Sequence, residues 1–480
     1  MSTAIVWFRR DLRLADNPAL AAACARHATV VPLFVFAPGE EGDWAPGAAQ
    51  RWWLHHSLGA HAEALEALGA RLIVRRGPTR TVLAELLDET GAEAVYWNRL
   101  HEPAPVERDR ALKEWLRAER GVTAESFNAA LLFEPWTITT GQDRPYRVFT
   151  PFWRRLRREG LPDAVEPTPA RVPGPAHGIA SEPIAALDLR PAIPWDEGLA
   201  AAWTPGEHGA HERLARFLHG ALAAYPEQRD LPAVDGTSGL SPHLHLGEIG
   251  PRQLVAAVRA RSSTDAGADA FLAEVGWREF AHHVLFHHPH TPASALDSRF
   301  DDFPWRDPRG EAAADLQAWQ RGRTGVPLVD AGMRQLWHSG WMHNRVRMVV
   351  ASFLAKNLRL HWLEGARWFW DTLVDADLAS NTLGWQWAAG CGADAAPYFR
   401  VFNPVRQGER FDPEARYVRT WVPEVAGLPD RYVHAPWQAP AAVREEAGAR
   451  LADYPPPVAD PAASRRAALD AFEAIRGRAR

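Results

Sequence analysis

The segment TVVPLFVFA, residues 29–37, is one of four short apolar runs in the first hundred residues. The others are AIVWF (4–8), RLIVRRG (71–77) and AVYWN (94–98), and the segments between the four runs have the apolar periodicity of helices. This alternation predicts a parallel sheet with helices on both faces. No G-x-G-x-x-G motif follows any run, so this Rossmann-like α/β domain lacks the usual dinucleotide fingerprint.

The composition indicates a globular chain of two or three domains. It has 480 residues, of which 46% are hydrophobic, and a formal net charge of −5. No apolar stretch of eighteen residues occurs, so no membrane span is predicted. The N-terminus MSTAIVWFRRDLRL places arginines where a signal peptide needs an apolar core, which predicts a cytoplasmic protein. The only cysteines, Cys24 and Cys391, exclude a disulfide framework and a zinc knuckle.

The domain organisation follows from changes in composition along the chain. Residues 1–135 form the predicted α/β domain, and residues 136–205 form a predicted linker with a Pro-rich stretch from about 160. Residues 206–475 carry long helical patterns with few strand candidates. The predicted fold class is therefore an N-terminal α/β domain followed by a mostly α-helical C-terminal domain.

The pattern FLAEVGWREFAHHVLFHHP (271–289) predicts one amphipathic helix. Glu274, Trp277 and Arg278 share a face of it, and this set can hydrogen-bond a base edge, stack on a ring and hold a phosphate. A surface ion pair beside a buried indole is the alternative. His283 and His287 have metal-ligand spacing, but no further ligand lies nearby, so no metal site is predicted.

Three further segments have polar residues that suggest binding. WMHNRVRMVVASFLAKNLRLHW (341–362) predicts a single helix with Trp341, Asn344 and Met348 on one face. DGTSGLS (235–241) suits either a diphosphate cradle or a capping turn without a ligand. Residues 321–360 carry seven Arg or Lys against one acid, a surplus of six charges that indicates a phosphate-binding patch or a solvated face.

Four long motifs together resemble the photolyase/cryptochrome family. They are WFRRDLRLADNPAL, RDLPAVDGTSGLSPHLHLGEIGPRQ, WQRGRTGVPLVDAGMRQLWHSGWMHNRVRM and DADLASNTLGWQWAAGCGADAAPYFRVFNPVRQGERFDP. They cover nearly the whole chain in the order of the family, and they are most similar to bacterial class I cyclobutane pyrimidine dimer (CPD) photolyases. The resemblance implies an α/β antenna domain and a helical domain that binds FAD.

The resemblance also implies an activity. The family's DNA-repair members split pyrimidine dimers with an electron from light-excited, reduced, anionic FAD. The expected partner is UV-damaged DNA with a flipped dimer, and the expected state is a monomer without membrane attachment. A blue-light photoreceptor of the cryptochrome type is the alternative within the family. A flavin electron carrier without affinity for lesions is the alternative outside it.

By resemblance, a set of residues binds FAD, and Asn381 among them faces the flavin N5 as a neutral amide. The resemblance implies that Arg347 pairs with Asp375. The cofactor-binding set is Tyr225, Thr237, Ser238, Gly239, Leu240, Ser241, Phe271, Arg278, Asn344, Arg347, Asp375, Ala376, Asp377 and Asn381.

The resemblance assigns the tryptophans to two tasks. Trp385, Trp362 and Trp305 form an electron chain that ends near the surface, with Trp319 as a competitor for its last position. Trp277 and Trp387 stack on the flipped dimer, and Glu274 stabilises the charge that develops on it. The DNA and substrate set is Arg229, Glu274, Trp277, Arg278, Asn344, Arg345, Met348, Trp387 and Gln407.

The antenna chromophore is not determined by the motifs. Arg51, His101 and Glu107 fall in the regions that select a folate or a deazaflavin in related proteins. Methenyltetrahydrofolate is the preferred interpretation, and a deazaflavin, a second flavin or an empty pocket are the alternatives.

Overall fold

The computed structural model describes residues 2–175, 178–261, 265–395 and 399–476. Its sheet is five-stranded and parallel, in the order β3-β2-β1-β4-β5. The strands are β1 Thr3–Phe8, β2 Thr29–Phe36, β3 Ile73–Arg76, β4 Ala94–Asn98 and β5 Thr123–Phe127. The register pairs Ile5 with Val31 and with Val95. The α/β fold predicted for the N-terminal part is confirmed.

Strand β5 was not predicted from the sequence. Its residues, TAESF, contain a carboxylate and two hydroxyls, and only Ala124 among them is buried. As an edge strand, β5 needs no continuous apolar run, so the pattern that revealed the other four strands is missing.

Twenty-one α-helices are described outside the sheet. In chain order they are α1 Pro18–Arg26, α2 Ala48–Ala67, α3 Thr79–Thr90, α4 Pro103–Ala118, α5 Phe149–Glu159, α6 Glu197–Ala202, α7 Glu207–His219, α8 Tyr225–Gln228, α9 Ser241–His245, α10 Pro251–Arg261, α11 Ala266–His287, α12 Ala313–Gln320, α13 Pro327–Ser339, α14 Asn344–Ser352, α15 Trp362–Thr372, α16 Leu378–Ala389, α17 Pro404–Phe411, α18 Arg416–Trp421, α19 Asp430–Val433, α20 Ala441–Glu446 and α21 Pro461–Arg476. Within the described residues, no helix is both long and apolar enough to cross a membrane.

The prediction of one helix over 341–362 was wrong. Helix α14 begins at Asn344, where the His343 side chain caps it by accepting the Arg345 N–H at 3.2 Å. A π-helical turn, Phe353–Asn357, follows, and the chain then reverses through Arg359 with φ of +53°. Trp341 therefore precedes the helix instead of sharing a helical face with Asn344 and Met348.

Contacts divide the chain into two compact units. The first consists of Met1–Ala223, Ser238–Pro289 and Val374–Ala379, and it contains the sheet. The second consists of Ala224–Thr237, His290–Leu373 and Ser380–Arg480, and it is helical. The predicted boundaries at 135, 205 and 475 describe stretches of sequence, and they stay a prediction.

Candidate functional site

A buried cluster of charges lies where the strand order of the sheet reverses. Strands β1 and β4 are neighbours there, and open α/β sheets bind ligands beyond the carboxyl ends of such strands. Arg10 follows β1 and Glu102 follows β4, and their side chains form an ion pair of 2.9 Å. His282 on α11 lies 3.3 Å from Asp377 in the same unit, and these four residues line one small cavity.

The charges of this cluster depend on one another. Burial alone would raise the pKa of Asp377, but His282 and Arg278 hold it well below its usual range. Burial alone would lower the pKa of His282, but Asp377 raises it above the ordinary value. The pKa of Glu102 is lowered because Arg10 outweighs the effect of burial. The cluster therefore holds two carboxylates, each compensated by a cation.

Glu102, His282 and Asp377 also offer three ligand atoms within 4.8 Å of one another. A metal ligand must be deprotonated, whereas the raised pKa of His282 favours its cationic form. The guanidinium of Arg10 already neutralises Glu102. The arrangement therefore favours an ion-pair network over a cation site.

Of this cluster the sequence pointed only to Asp377. Arg10 and Glu102 were missed because charged residues after strands are common in loops. His282, in helix α11, was considered only as one of several histidines for a metal site that was not predicted. The available signal for Arg10 and Glu102 was their position, directly after two predicted strands that become neighbours in the sheet.

The glycine-containing segment 235–241 leads into helix α9, which begins at Ser241. The Ser241 hydroxyl donates a 2.6 Å hydrogen bond to Asp375, which is 7% exposed. Gly239 has φ of +60°, and a side chain there would overlap the guanidinium of Arg213. The segment thus combines a left-handed turn, hydroxyls and an adjacent cation.

Helix α11 carries the predicted substrate residues of the first unit. The ring of Trp277 stacks on Phe149 with centroids 3.9 Å apart and planes 10° apart. Arg278 donates a 2.7 Å hydrogen bond to the carbonyl of Ala130. Glu274 is half-buried one helical turn before Arg278. The predicted common face of Glu274, Trp277 and Arg278 therefore lies within one continuous helix, as the spacing indicated.

Helix α14 carries four predicted residues in the second unit. Asn344 is exposed at its first position, and Met348 is half-buried. Arg345 pairs with Asp230 at 2.7 Å, and Arg347 donates to the carbonyl of Met342 at 2.7 Å. The predicted pairing of Arg347 with Asp375 stays a prediction.

Helix α16 contains Asn381, Trp385 and Trp387, which belong to the motif that begins DADLASNTLGWQWAAG at Asp375. Asn381 is 9% exposed, and its Nδ2 donates to the carbonyl of Ala366 at 3.0 Å. Trp385 is buried, with Phe369 5.0 Å and Trp319 6.1 Å from it between ring centroids. Trp387, two residues on, is half-buried and lies 6.3 Å from Phe402. The two indoles thus have different surroundings, as expected from about 100° of rotation per residue.

The residue between these indoles, Gln386, was not predicted. Its amide donates to the carbonyls of Thr291 and Ser294 at 2.7 and 2.9 Å, and its side-chain oxygen accepts from the Leu296 N–H at 2.9 Å. It is 2% exposed, so all these bonds are shielded from water. Gln386 therefore fixes the rotation of α16 and with it the directions of Trp385 and Trp387.

The structure separates the two competitors for the end of the electron chain. Trp319 is fully buried and donates to the Val350 carbonyl at 3.2 Å, so it cannot present an edge to solvent. Trp305 is half-buried three residues after the 3₁₀ segment Ser298–Asp302, and Trp362 is 1% exposed. Trp305 is therefore the more exposed of the two, and Trp319 lies beside Trp385 in the interior, while the electron chain itself stays a prediction.

The packing of Trp385 against helix α15 gives a testable prediction. A Cβ at Gly365 on α15 would overlap the six-membered ring of Trp385. Gly365→Ala is expected to lower the free energy of unfolding by about 1–3 kcal/mol, as overpacked cores do. Chemical denaturation measures it. Gly384→Ala on α16 is the matched control, because nothing lies within 4 Å of its Cβ position, and it should be neutral or slightly stabilising. Equal effects at both positions would contradict the packing.

The remaining predicted residues differ in burial. Tyr225, Leu240, Phe271 and Ala376 are buried, while Thr237, Ser238, Arg229 and Gln407 are half-buried. The guanidinium of Arg229 lies 5.4 Å from the centre of the Tyr225 ring. Among the antenna candidates, Arg51 and Glu107 are exposed, whereas His101 is buried and bonded to Glu134 at 3.0 Å.

Comparisons with known proteins agree with this geometry. The family model "DNA photolyase" matches residues 4–174, and the model "FAD binding domain of DNA photolyase" matches residues 271–474. The deoxyribodipyrimidine photo-lyase of Agrobacterium fabrum is 46% identical over 98% of both chains. The chain belongs to the photolyase/cryptochrome family. Its predicted fold class, with a helical FAD-binding domain, is confirmed.

Two further relatives delimit its place in the family. The solved class III photolyase of Agrobacterium tumefaciens has 45% identity and a TM-score of 0.94, covering 99% of this chain and 98% of its own. Cryptochrome-1 of Arabidopsis thaliana is 40% identical, covering 95% of this chain and 68% of its own length. The expected assignment to class I has no support from these relatives, because the solved structure described here is a class III enzyme.

The residues present fit FAD chemically. A diphosphate suits the segment 235–241, where a cation and a left-handed glycine lie beside hydroxyls. The buried carboxylates of Asp375 and Asp377 suit the hydroxyl groups of a ribityl or ribose chain. Asn381 keeps a second N–H and a carbonyl oxygen beyond its bond to Ala366, so it suits a flavin edge without adding charge.

Proposed function

We propose that this protein is a light-dependent DNA repair enzyme that splits cyclobutane pyrimidine dimers. The observation that carries the proposal is full-length similarity to deoxyribodipyrimidine photo-lyases, together with a neutral amide at Asn381 and a stacked indole at Trp277. When bound, reduced FAD supplies one electron on excitation by light and takes it back after the ring has opened. We also propose class III rather than class I.

The residues of this chain would orient the reactants and exclude water. Trp277 and Trp387 offer indole faces for a flipped dimer, and base stacking on such faces contributes about 1–3 kcal/mol per base. Asp375 and Asp377 would hold cofactor hydroxyls, and Trp385, Trp362 and Trp305 would carry electrons inward from the surface. Flipping should cost little, because a damaged pair is already weakened.

Glu274 has the role that is most easily tested. It is half-buried on the same helix as Trp277, where its carboxyl group can hydrogen-bond the dimer as negative charge develops. Glu274→Ala is expected to lower the number of dimers split per absorbed photon by roughly an order of magnitude, since a hydrogen bond to a charged group is lost. Glu274→Gln, which keeps hydrogen-bonding atoms, should lose less. Unchanged splitting with weaker binding alone would contradict this role.

The antenna is a separate proposal. We propose methenyltetrahydrofolate, with a deazaflavin as the alternative. A further relative, the photolyase of Sulfolobus tokodaii, is 27% identical with a TM-score of 0.82, and its structure holds two FAD molecules. Mass spectrometry of the chromophores released from the purified protein would distinguish a folate from a deazaflavin and from a second flavin.

A test in cells distinguishes repair from light sensing. The protein would be expressed in bacteria that lack photoreactivation, and survival after UV irradiation would be compared with and without blue light. Repair predicts increased survival only in the light, and removal of dimers from the DNA. Survival that is equal in light and dark, in cells that contain the flavin-loaded protein, would contradict the proposal and favour the photoreceptor.

A further inference from the structure

The segment 144–158 is the most basic part of the predicted linker and has no role in the assignments above. It contains six arginines and no acidic residue, although the whole chain has a net charge of −5. They are Arg144, Arg147, Arg154, Arg155, Arg157 and Arg158. Most of these arginines lie in helix α5, Phe149–Glu159.

Helix α5 is sharply divided into two faces. Phe152 and Leu156 are buried on one face, at 2% and 0% exposure. Arg154 and Arg158 are exposed on the opposite face, one helical turn apart. Such a helix packs against its own unit with one side and presents guanidinium groups to solvent with the other.

Three of these six cations have no partner among the residues that the structure describes. Arg155 pairs with Glu159 at 2.9 Å, and Arg157 lies 3.7 Å from Asp269. In contrast, the guanidinium groups of Arg147, Arg154 and Arg158 make no hydrogen bond or ion pair to any residue that the structure describes.

The basic segment 321–360 of the second unit has fewer unpaired cations than its composition suggested. Within 321–360, Arg334 pairs with Glu424 at 2.8 Å and Arg345 pairs with Asp230 at 2.7 Å. Lys356 is 3% exposed. The surplus of six charges read from the sequence therefore overestimates the cations that this segment can offer to phosphates.

Helix α5 is joined directly to the indole that we assign to the lesion. Phe149, its first residue, stacks on Trp277 at 3.9 Å, and Trp153 stacks on Phe149 at 6.3 Å with planes 9° apart. Gly276 permits this arrangement, because a Cβ there would lie 2.5 Å from the Trp153 ring. The arginine face is thus carried by the same rigid aromatic stack as Trp277.

We infer that the arginine face of helix α5, formed by Arg154 and Arg158, binds the phosphate backbone of duplex DNA next to the lesion, together with Arg147 just before the helix. Phosphate is the chemistry that an exposed, unpaired row of guanidinium groups fits best. This inference rests on the proposed function only for the position of the lesion, and not for the affinity for duplex DNA.

The test measures how the dissociation constant for an undamaged duplex depends on salt, using the full-length, FAD-loaded protein. Each phosphate contact contributes a slope of about 0.9 in a plot of log K against log salt concentration. Arg154→Gln/Arg158→Gln should therefore reduce the slope by about 1.8. The matched control is Arg465→Gln/Arg466→Gln on α21, which removes the same charge from two exposed arginines and should leave the slope unchanged.

Three outcomes decide the inference. A reduced slope in the α5 variant, restored by Arg154→Lys/Arg158→Lys, supports it, because lysine keeps the charge. An α5 variant with the parent slope, or a parent protein without affinity for the duplex, overturns it. If the parent splits no dimers, the proposed function fails while the salt slope still decides the role of α5.

Discussion

Lys356→Met is expected to remove a rise in stability that the parent protein shows above neutral pH. Lys356 lies in the π-helical turn Phe353–Asn357 and is 3% exposed. Its Nζ donates to the carbonyl of Arg400 at 2.5 Å and lies 4.4 Å from the centre of the Phe399 ring. Burial lowers the pKa of this ammonium to about 7, with a further lowering from Arg400 that Cys391 opposes.

The direction of this pH dependence of stability follows from the number of protons bound in the folded and unfolded states. Between pH 7 and the unfolded value of 10.5, the unfolded chain keeps a proton on Lys356 that the folded chain has lost. The free energy of unfolding therefore rises with pH across this window, by at most about 1.4 kcal/mol per pH unit. Denaturation of parent and Lys356→Met between pH 7 and 9 measures the difference. Burial raises the pKa of the Cys391 thiol, which acts in the opposite direction in both proteins. Lys356 lowers that pKa, so its removal strengthens this opposing effect and cannot restore the rise.

Lys356→Arg is the informative control for this prediction. Arginine stays charged over the whole window, so this variant should also lack the rise while being less stable throughout. A Lys356→Met protein with the same pH dependence as the parent would show that Lys356 does not titrate near neutrality.

Asn381→Asp is expected to lower the free energy of unfolding by about 3–5 kcal/mol at neutral pH, the cost of a buried charge without a partner. The Asn381 amide donates to the Ala366 carbonyl, and a carboxylate at the same position would face that oxygen without a proton. The penalty should shrink as the pH falls, since a protonated carboxyl group can donate again. Denaturation at several pH values measures this, and FAD content measured by absorbance should fall with stability.

Asn403→Asp is the matched control for this substitution. Asn403 is the exposed cap of α17 and accepts the Arg406 N–H at 3.2 Å, which a carboxylate can also accept. The Asn403→Asp substitution adds the same charge as Asn381→Asp, and it should change the free energy of unfolding by less than about 0.5 kcal/mol. A loss of stability at Asn403 as large as that at Asn381 would mean that the added charge, and not the lost donor, is responsible.

The sequence revealed those parts of the molecule that depend on local pattern. Four strands follow from apolar runs, and the different surroundings of Trp385 and Trp387 follow from their spacing on one helix. The edge strand β5 and the break after Ser352 have no such pattern, because the partners that fix them are distant in sequence.

The same limit applies to the candidate site. The motifs assigned binding roles to Asp377 and Trp277, but not to His282 and Phe149. His282 helps to set the charge of Asp377, and Phe149 orients the ring of Trp277. Neither residue lies beside its partner in the chain, so spacing could not connect them. Charge counting failed at Lys356 for a related reason, since composition does not distinguish a buried ammonium from an exposed one.

The most direct measurement is repair by the purified, FAD-loaded protein. A thymine-dimer oligonucleotide would be mixed with reduced protein and illuminated, and the absorbance of intact thymine would be followed, with dark and protein-free samples as controls. The proposed function predicts that intact thymines return in the light over many turnovers, with no net consumption of reductant. A reduced, flavin-loaded protein that binds the oligonucleotide but restores no thymine under illumination would contradict it.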